Sequence, residues 1–267
     1  MHTWHWRTWE NKPYLACSIL EKFPHGFFTQ HFWQSPPQEL TKAFASSMKA
    51  YRLKQVHGNR VLTPQQIHEN LENGGEHVDD ELDPPLVMGD GVMSDASVEG
   101  QSVWVASADC TPALIGDIQT GQVTAIHAGW RGTAQKIIPV AIAMMQNHGS
   151  RLQDLRIALG PAIAGEVYQV SLETAMEVGA TICPAKEPEE MMGMLMDGEN
   201  PPLLPDPEVG KVRLDVRRIN AMQMENMGIS PEQIAIAPYC TYQNPEHFFS
   251  YRRQREKKVQ WSGIASI

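Results

Sequence analysis

The sequence predicts an α/β fold built around one main sheet. Apolar runs of strand length alternate with helix-length runs along the 267 residues. No internal repeat and no Ser/Gly-rich linker divides the chain. Hydrophobic residues at 42% and charged residues at 20% are what a soluble protein with a sizeable core needs. The length allows one large domain or two small ones.

In chain order, "YLACSIL" and "HGFFTQ" read as short early strands. "PPQELTKAFASSMKAY" opens on proline and carries apolar residues at helical spacing, so a helix is expected there. "LKQVHGNRVL" is strand-like, interrupted at Gly58-Asn59 by a hairpin signal. Residues 68–85 are acidic and punctuated by Gly and Pro, which predicts an exposed loop. "GDGVMSD" and "SVWVASADCTPALIGD" follow, read as two strands or one strand with a break. "GQVTAIHAGW" is the next strand, and Thr133 is placed to cap the helix of "AQKIIPVAIAMMQ". "DLRIALGPAIAGEVYQV" reads as a strand ending in a turn and "SLETAMEVGATI" as a helix. Residues 184–210, proline-rich and acidic, predict a surface excursion around a short "EEMMGMLM" helix. "VRLDVRRINAMQMENMG" fits a helix ended by Gly228, and "QIAIAPYC" a last strand before "FFSYRR".

The formal net charge is −9, and the one basic cluster, "SYRRQREKK" at 250–258, is short. Non-specific nucleic-acid binding wants a basic surface, so no nucleic-acid partner is expected. The start "MHTWHWRTWENK" has no apolar signal-peptide centre. The longest apolar run falls far short of the ~18 residues a membrane span needs. A cytoplasmic protein without a membrane partner is the expectation. Four cysteines with no C-x-x-C pair argue against a disulfide framework and leave a ligand or nucleophile role open.

Three residues share one context: His57 in "QVHG", Cys110 in "SADCTP" and His127 in "TAIHAGW" each follow an apolar stretch and precede Gly or Pro within two residues. Side chains presented from strand ends into a cleft look like this. One thiolate and two imidazoles make a three-ligand zinc set, and zinc in such a site brings the pKa of its water to about 7. The same trio also fits a Cys-His nucleophile pair with a bystander histidine, or buried residues without chemistry. Asp109, beside Cys110, is placed either to orient a ligand histidine or to cap the next turn. Arg131 in "HAGWRG" sits at a glycine-flanked strand end, and Arg252 and Arg253 in "FFSYRR" offer further forks for phosphate or carboxylate.

"QVHG", "SADCTPALIGD", "IHAGWRGTA", "LGPAIAGEVYQV", "PYCT" and "FFSYRR", in this order, resemble the YfiH/laccase-domain family, also called the polyphenol oxidase or purine nucleoside phosphorylase family. The resemblance runs over nearly the whole chain. It implies a single α/β domain, 1–267, with mixed sheets flanked by helices, distantly similar to Cys-His toxin deamidases. It implies one zinc ion on His57, Cys110 and His127. It also implies phosphorolysis of purine nucleosides (adenosine, inosine, guanosine, methylthioadenosine) together with deamination of adenosine. An older view of the family is a copper-dependent phenol oxidase, and some members are linked to peptidoglycan precursor editing.

On this reading Cys110, His127, His57 and Arg131 are the catalytic set, and Arg131, Arg252 and Asp109 bind substrate and phosphate. Three readings compete with it: a Cys-His hydrolase or amidase, a copper oxidase, and a metal-stabilised partner protein without turnover. Laccase chemistry wants more histidines, whereas His68, His77 and His148 lie in polar segments that read as surface. The chain departs from the family pattern at two places. Gln30 stands where an arginine is usual, and "EKKVQWSG" follows "FFSYRR" without the usual Gly-Arg pair.

Overall fold

In place of one main sheet, the chain folds into two six-stranded sheets. The computed structural model describes residues 2–45, 48–74, 77–80, 83–95, 98, 100–183 and 187–267. The first sheet runs, in spatial order, Trp4–Trp9, Lys12–Cys17, His25–Phe28, Gln260–Ala265, Gln101–Ser107 and Lys49–Tyr51. The second runs Ile234–Ile236, Leu155–Leu159, Thr111–Asp117, Val123–Ala128, Gly91–Met93 and Val61–Leu62. Both are mixed: most neighbours are antiparallel, but Lys49–Tyr51, Val61–Leu62 and Ile234–Ile236 pair in parallel. Among the described residues, a three-stranded sheet (Gln169–Ser171, Lys211–Leu214, Leu203–Pro205) and an antiparallel pair (His77–Asp80, Asp83–Val87) complete the strands.

The two large sheets face one another. Leu15, Phe27, Val103 and Ile264 from the first meet Leu114, Ala125 and Ala158 from the second in one buried cluster. Alternate residues of the same central strands, Ala113, Ile115 and Ile126, point the other way onto Ile138, Ala141, Ile142 and Met145 of helix Ile137–Asn147. Strands covered on both faces read as continuous apolar runs, which is why "TPALIG" and "VTAIHA" show no alternation. A third cluster joins helices Leu172–Gly179 and Pro188–Met196 to the small sheet.

Several expectations change. Among the described residues of 36–51, with 46 and 47 outside them, only Pro37–Leu40 and one 3-10 turn (Thr41–Ala43) are helical, and Lys49–Tyr51 is a strand. The helix-like spacing there instead packs Leu40, Ala43 and Phe44 against Phe28 and Trp104. Gly58-Asn59 makes no hairpin, because the strand after it, Val61–Leu62, pairs in parallel with Gly91–Met93. The acidic 68–85 segment is the end of helix Pro64–Glu72 and the antiparallel pair, with 75, 76, 81 and 82 outside the described residues. In 184–210, whose residues 184–186 lie outside the described ones, helix Pro188–Met196 is integral because Met191 and Leu195 are buried. "VRLD" closes a strand before Asp215, whose side chain caps helix Val216–Asn226.

Two strands carried no earlier expectation: Trp4–Trp9 and the C-terminal Gln260–Ala265. The first is joined to Lys12–Cys17 through Glu10 and Asn11, both left-handed (φ 47° and 60°), as a type I′ turn requires.

Candidate metal centre

The chain crosses from the first sheet to the second between Ser107 and Thr111, and the crossing carries the site. Asp109 is left-handed there (φ 92°), which breaks one strand from the next and sets Cys110 at the start of Thr111–Asp117. In the adjacent strand Pro112 faces His127 and Thr111 faces Ala128, so His127 and Cys110 meet at one end of the second sheet. His57 comes from the loop before Val61–Leu62, in a left-handed conformation of its own (φ 61°).

Asp90, fully buried, holds that loop. Its carboxylate accepts from the backbone N–H groups of His57 (2.9 Å), Gly58 (2.8 Å) and Val56 (3.2 Å). The same carboxylate accepts from His127 Nδ1 at 2.9 Å, which leaves Nε2 of that ring for the site. Asp90 therefore has the orienting role that the sequence pointed to at Asp109.

One donor atom from each of His57, Cys110 and His127 lies within 4.8 Å of the others, the only such trio among the described residues. The two imidazole rings are edge-to-face with centroids 4.9 Å apart. Two imidazoles and a thiolate with room for a fourth partner fit a zinc ion in a catalytic arrangement. Glycine lets this happen: a Cβ on Gly129 would lie 2.8 Å from Cys110 Sγ and 3.4 Å from His57 Cδ2. Replacing Gly129 by Ala is expected to push the thiolate out of the donor set. The measurable result is loss of bound metal with the circular-dichroism spectrum retained; a variant with full metal content would refute this packing.

Charge is strongly organised here. Burial pushes the Cys110 thiol up, but His127 and then His57, by charge and hydrogen bond, bring it down to about 6. Burial pulls His127 down, and the Cys110 thiolate and Asp90 more than reverse this, to about 9. Without metal, the pair is thus thiolate and imidazolium between those limits. The depressed thiol adds stability that is lost as pH falls through about 6, and the raised imidazole adds stability that is lost as pH rises through about 9. In metal-free protein the thiolate ultraviolet absorbance should therefore appear with a midpoint near 6. His127→Ala should move that midpoint upward, and an unshifted midpoint would contradict the pairing.

The trio opens onto a cavity of about 360 Å³ that also includes Arg52, Lys54, Ser107, Tyr251, Lys257 and Trp261. The other predicted residues lie around it differently. Asp109 is buried, and its oxygens accept from Thr241 Oγ1 (2.6 Å) and the Arg252 backbone N–H (2.7 Å). It ties two loops to the crossing and, as an occupied carboxylate, has nothing to offer a phosphate. Arg252 donates to the Gln169 carbonyl and lies 4.8 Å over the Tyr168 ring. Arg131 is exposed, 4.3 Å over the Trp130 ring. Neither arginine lines the cavity.

The helix after the strand begins at Trp130, capped by Gly129, and spans only Trp130–Ala134, so Thr133 lies inside it, bonded to Asn220. A second helix restarts at Ile137 after left-handed Lys136. Arg253 is structural, donating to the carbonyls of Thr241, Tyr242 and Phe248. Gln30 donates to the Pro245 carbonyl, away from the cavity. His68 and His148 are exposed, and the His77 side chain lies outside the described residues. Asp90 escaped the sequence reading, although "GDG" between two apolar segments marked a buried acid worth a question.

Fold and site together define a protein that sets one N₂S donor trio at the junction of two facing sheets. Over residues 36–265 the chain matches the family described as multi-copper polyphenol oxidoreductase laccase, and it belongs to that family, the one its motifs resemble. It is 48% identical over 266 residues to a Synechocystis sp. protein named purine nucleoside phosphorylase, covering 98% of this chain and 97% of that one. It is 28% identical over 156 residues to adenosine deaminase RL5 of an unknown prokaryotic organism, covering 58% and 54%. Among solved structures the fold is similar to YlmD from Geobacillus stearothermophilus, with a TM-score of 0.77 at 23% identity, covering 97% and 98%. Among the described residues no helix is long and apolar enough to cross a membrane.

Proposed function

We propose that this chain is a zinc-dependent purine nucleoside phosphorylase that also deaminates adenosine, working in the cytoplasm. The observation that carries the reading is the donor trio opening onto a cavity whose volume lies in the range of small-molecule sites. The near full-length relative named for phosphorolysis supports it, and the one named for deamination supports the second activity. Four free cysteines suit a reducing compartment.

His57, Cys110 and His127 would hold the zinc, which supplies a Lewis acid that makes a nucleophile available from water near neutral pH. Asp90 fixes the His127 tautomer and the His57 loop. Tyr251, 48% exposed at the cavity rim, offers a ring face for a purine. In phosphorolysis a phosphate oxygen bonds to C1′ as the C1′–N9 bond breaks. The bonding pair leaves with the purine, and the proton that phosphate gives up balances the one the purine gains.

One observation favours a second reading. Cys110, His127 and Asp90 line up as thiol, imidazole and carboxylate, the arrangement of a Cys-His hydrolase or amidase. Copper on the same trio is a third, and metal analysis of the purified protein separates it from zinc. Incubating the purified protein with adenosine, with and without phosphate, and separating the products by chromatography tests the reading. Adenine only with phosphate is expected, together with some inosine in either buffer. No product in either would overturn it in favour of the hydrolase or of a non-catalytic metal protein.

A further inference from the structure

We propose that phosphate is taken by a cationic wall of the metal cavity, formed by Arg52, Lys54, Lys257 and Lys258, and not by Arg131 and Arg252. The proposal rests on the phosphorolytic reading above and names the part of the cavity that serves it. Among the described residues, four cationic side chains line the cavity with a single carboxylate, Glu256, in a protein of net charge −9. Glu256 is bonded to Lys258 at 2.6 Å. Lys54 and Lys257 have no carboxylate partner among the described residues, so their charge is uncompensated. Arg52 lies 5.5 Å over the Trp261 ring, which fixes the guanidinium at the cavity edge.

The wall is drawn from two segments distant in sequence. Residues 52–54 lead into the His57 loop, and residues 257–258 follow the "FFSYRR" turn. A small polyanion entering this cavity meets both the metal ligands and these charges.

A second feature marks the cavity as built for a polar guest. Ser107 is 3% exposed, lines the cavity, and its hydroxyl has no hydrogen-bond partner. Buried hydroxyls in native proteins are ordinarily paired. The arginines expected from the sequence lack these properties. Arg252 is committed to the Gln169 carbonyl and the Tyr168 ring, Arg131 rests outward on Trp130, and neither borders the cavity. Gln30 is spent on the Pro245 carbonyl.

Titration calorimetry of the zinc-containing protein with inorganic phosphate tests the wall directly. The wild type should bind phosphate with an affinity that falls as salt rises. The double variant K54A/K257A should bind about tenfold or more weakly, the effect of losing charged hydrogen-bond donors. K54R/K257R should retain binding, because it keeps both charges. Zinc content and melting temperature, read on each variant, control for folding. Equal affinity in the wild type and K54A/K257A overturns the assignment, as does weakened binding confined to R131A or R252A, or no binding by the wild type. If binding follows the lysines but no sugar phosphate forms from adenosine, the wall stands and the phosphorolytic reading falls.

Discussion

Cys110→Ala should abolish both metal binding and turnover while the protein stays folded. Cys110 supplies the sulfur of the donor trio, and its half-buried position at the sheet crossing carries little of the core packing. The melting temperature should stay within about 4 °C, the equivalent of about 1 kcal/mol in a chain of this size. Metal content should fall from about one ion per chain to background, since two imidazoles alone make a poor zinc site. Turnover should fall by more than the roughly 10–100-fold that loss of an outer partner costs. Metal analysis, a thermal melt and a nucleoside assay on one preparation check all three. A variant that keeps its metal and its activity would remove Cys110 from the site.

Asp90→Ala should have the largest effect on stability. One carboxylate satisfies three consecutive backbone N–H groups and the His127 ring. Removing it leaves the buried His127 ring without its partner, takes the acceptor from three part-buried N–H groups and releases the left-handed His57 backbone from the only side chain that holds it among the described residues. The cost should be roughly 3–5 kcal/mol, as for a broken buried ion pair. Asp90→Asn separates the two roles. It keeps the size and two of the acceptor sites, so most of the fold should survive while metal affinity drops roughly 10–100-fold. Denaturant melts and competition with a chelator read the two quantities. Unchanged metal affinity in Asp90→Asn would show that the carboxylate serves the loop alone.

The donor trio was legible in the sequence because strand ends followed by glycine or proline are a local signal, and each ligand carries it. The central strands were legible for the same kind of reason: burial on both faces writes "TPALIG" and "VTAIHA" as unbroken apolar runs. What stayed hidden depends on contacts between distant segments. Asp90 acts through residues 32 to 37 positions away, and nothing near "GDG" reports them. Gly58-Asn59 resembled a hairpin because the local pair is right for one, but a carboxylate from elsewhere turns that loop. The run at 36–51 carries helical spacing, yet Phe28 and Trp104 capture its apolar side chains, and the helix stops after one α turn and one 3-10 turn. The two sheets looked like one because the crossing at 108–110 resembles a break in a single strand. The C-terminal strand, central in its sheet, is too rich in small and polar residues ("QWSGIA") to announce itself. Its Gly263 is required by position, since a Cβ there would lie 2.4 Å from the Trp104 ring.

The most direct test of the account is to strip the purified protein of metal with a chelator and restore zinc stepwise, following adenosine turnover and Cys110 alkylation together. The account predicts no turnover and rapid alkylation without metal. Activity should then rise linearly to a plateau at about one zinc per chain as the thiol becomes protected. Full turnover by the metal-free protein, lost only when Cys110 is alkylated, would contradict it and make this site a thiol nucleophile.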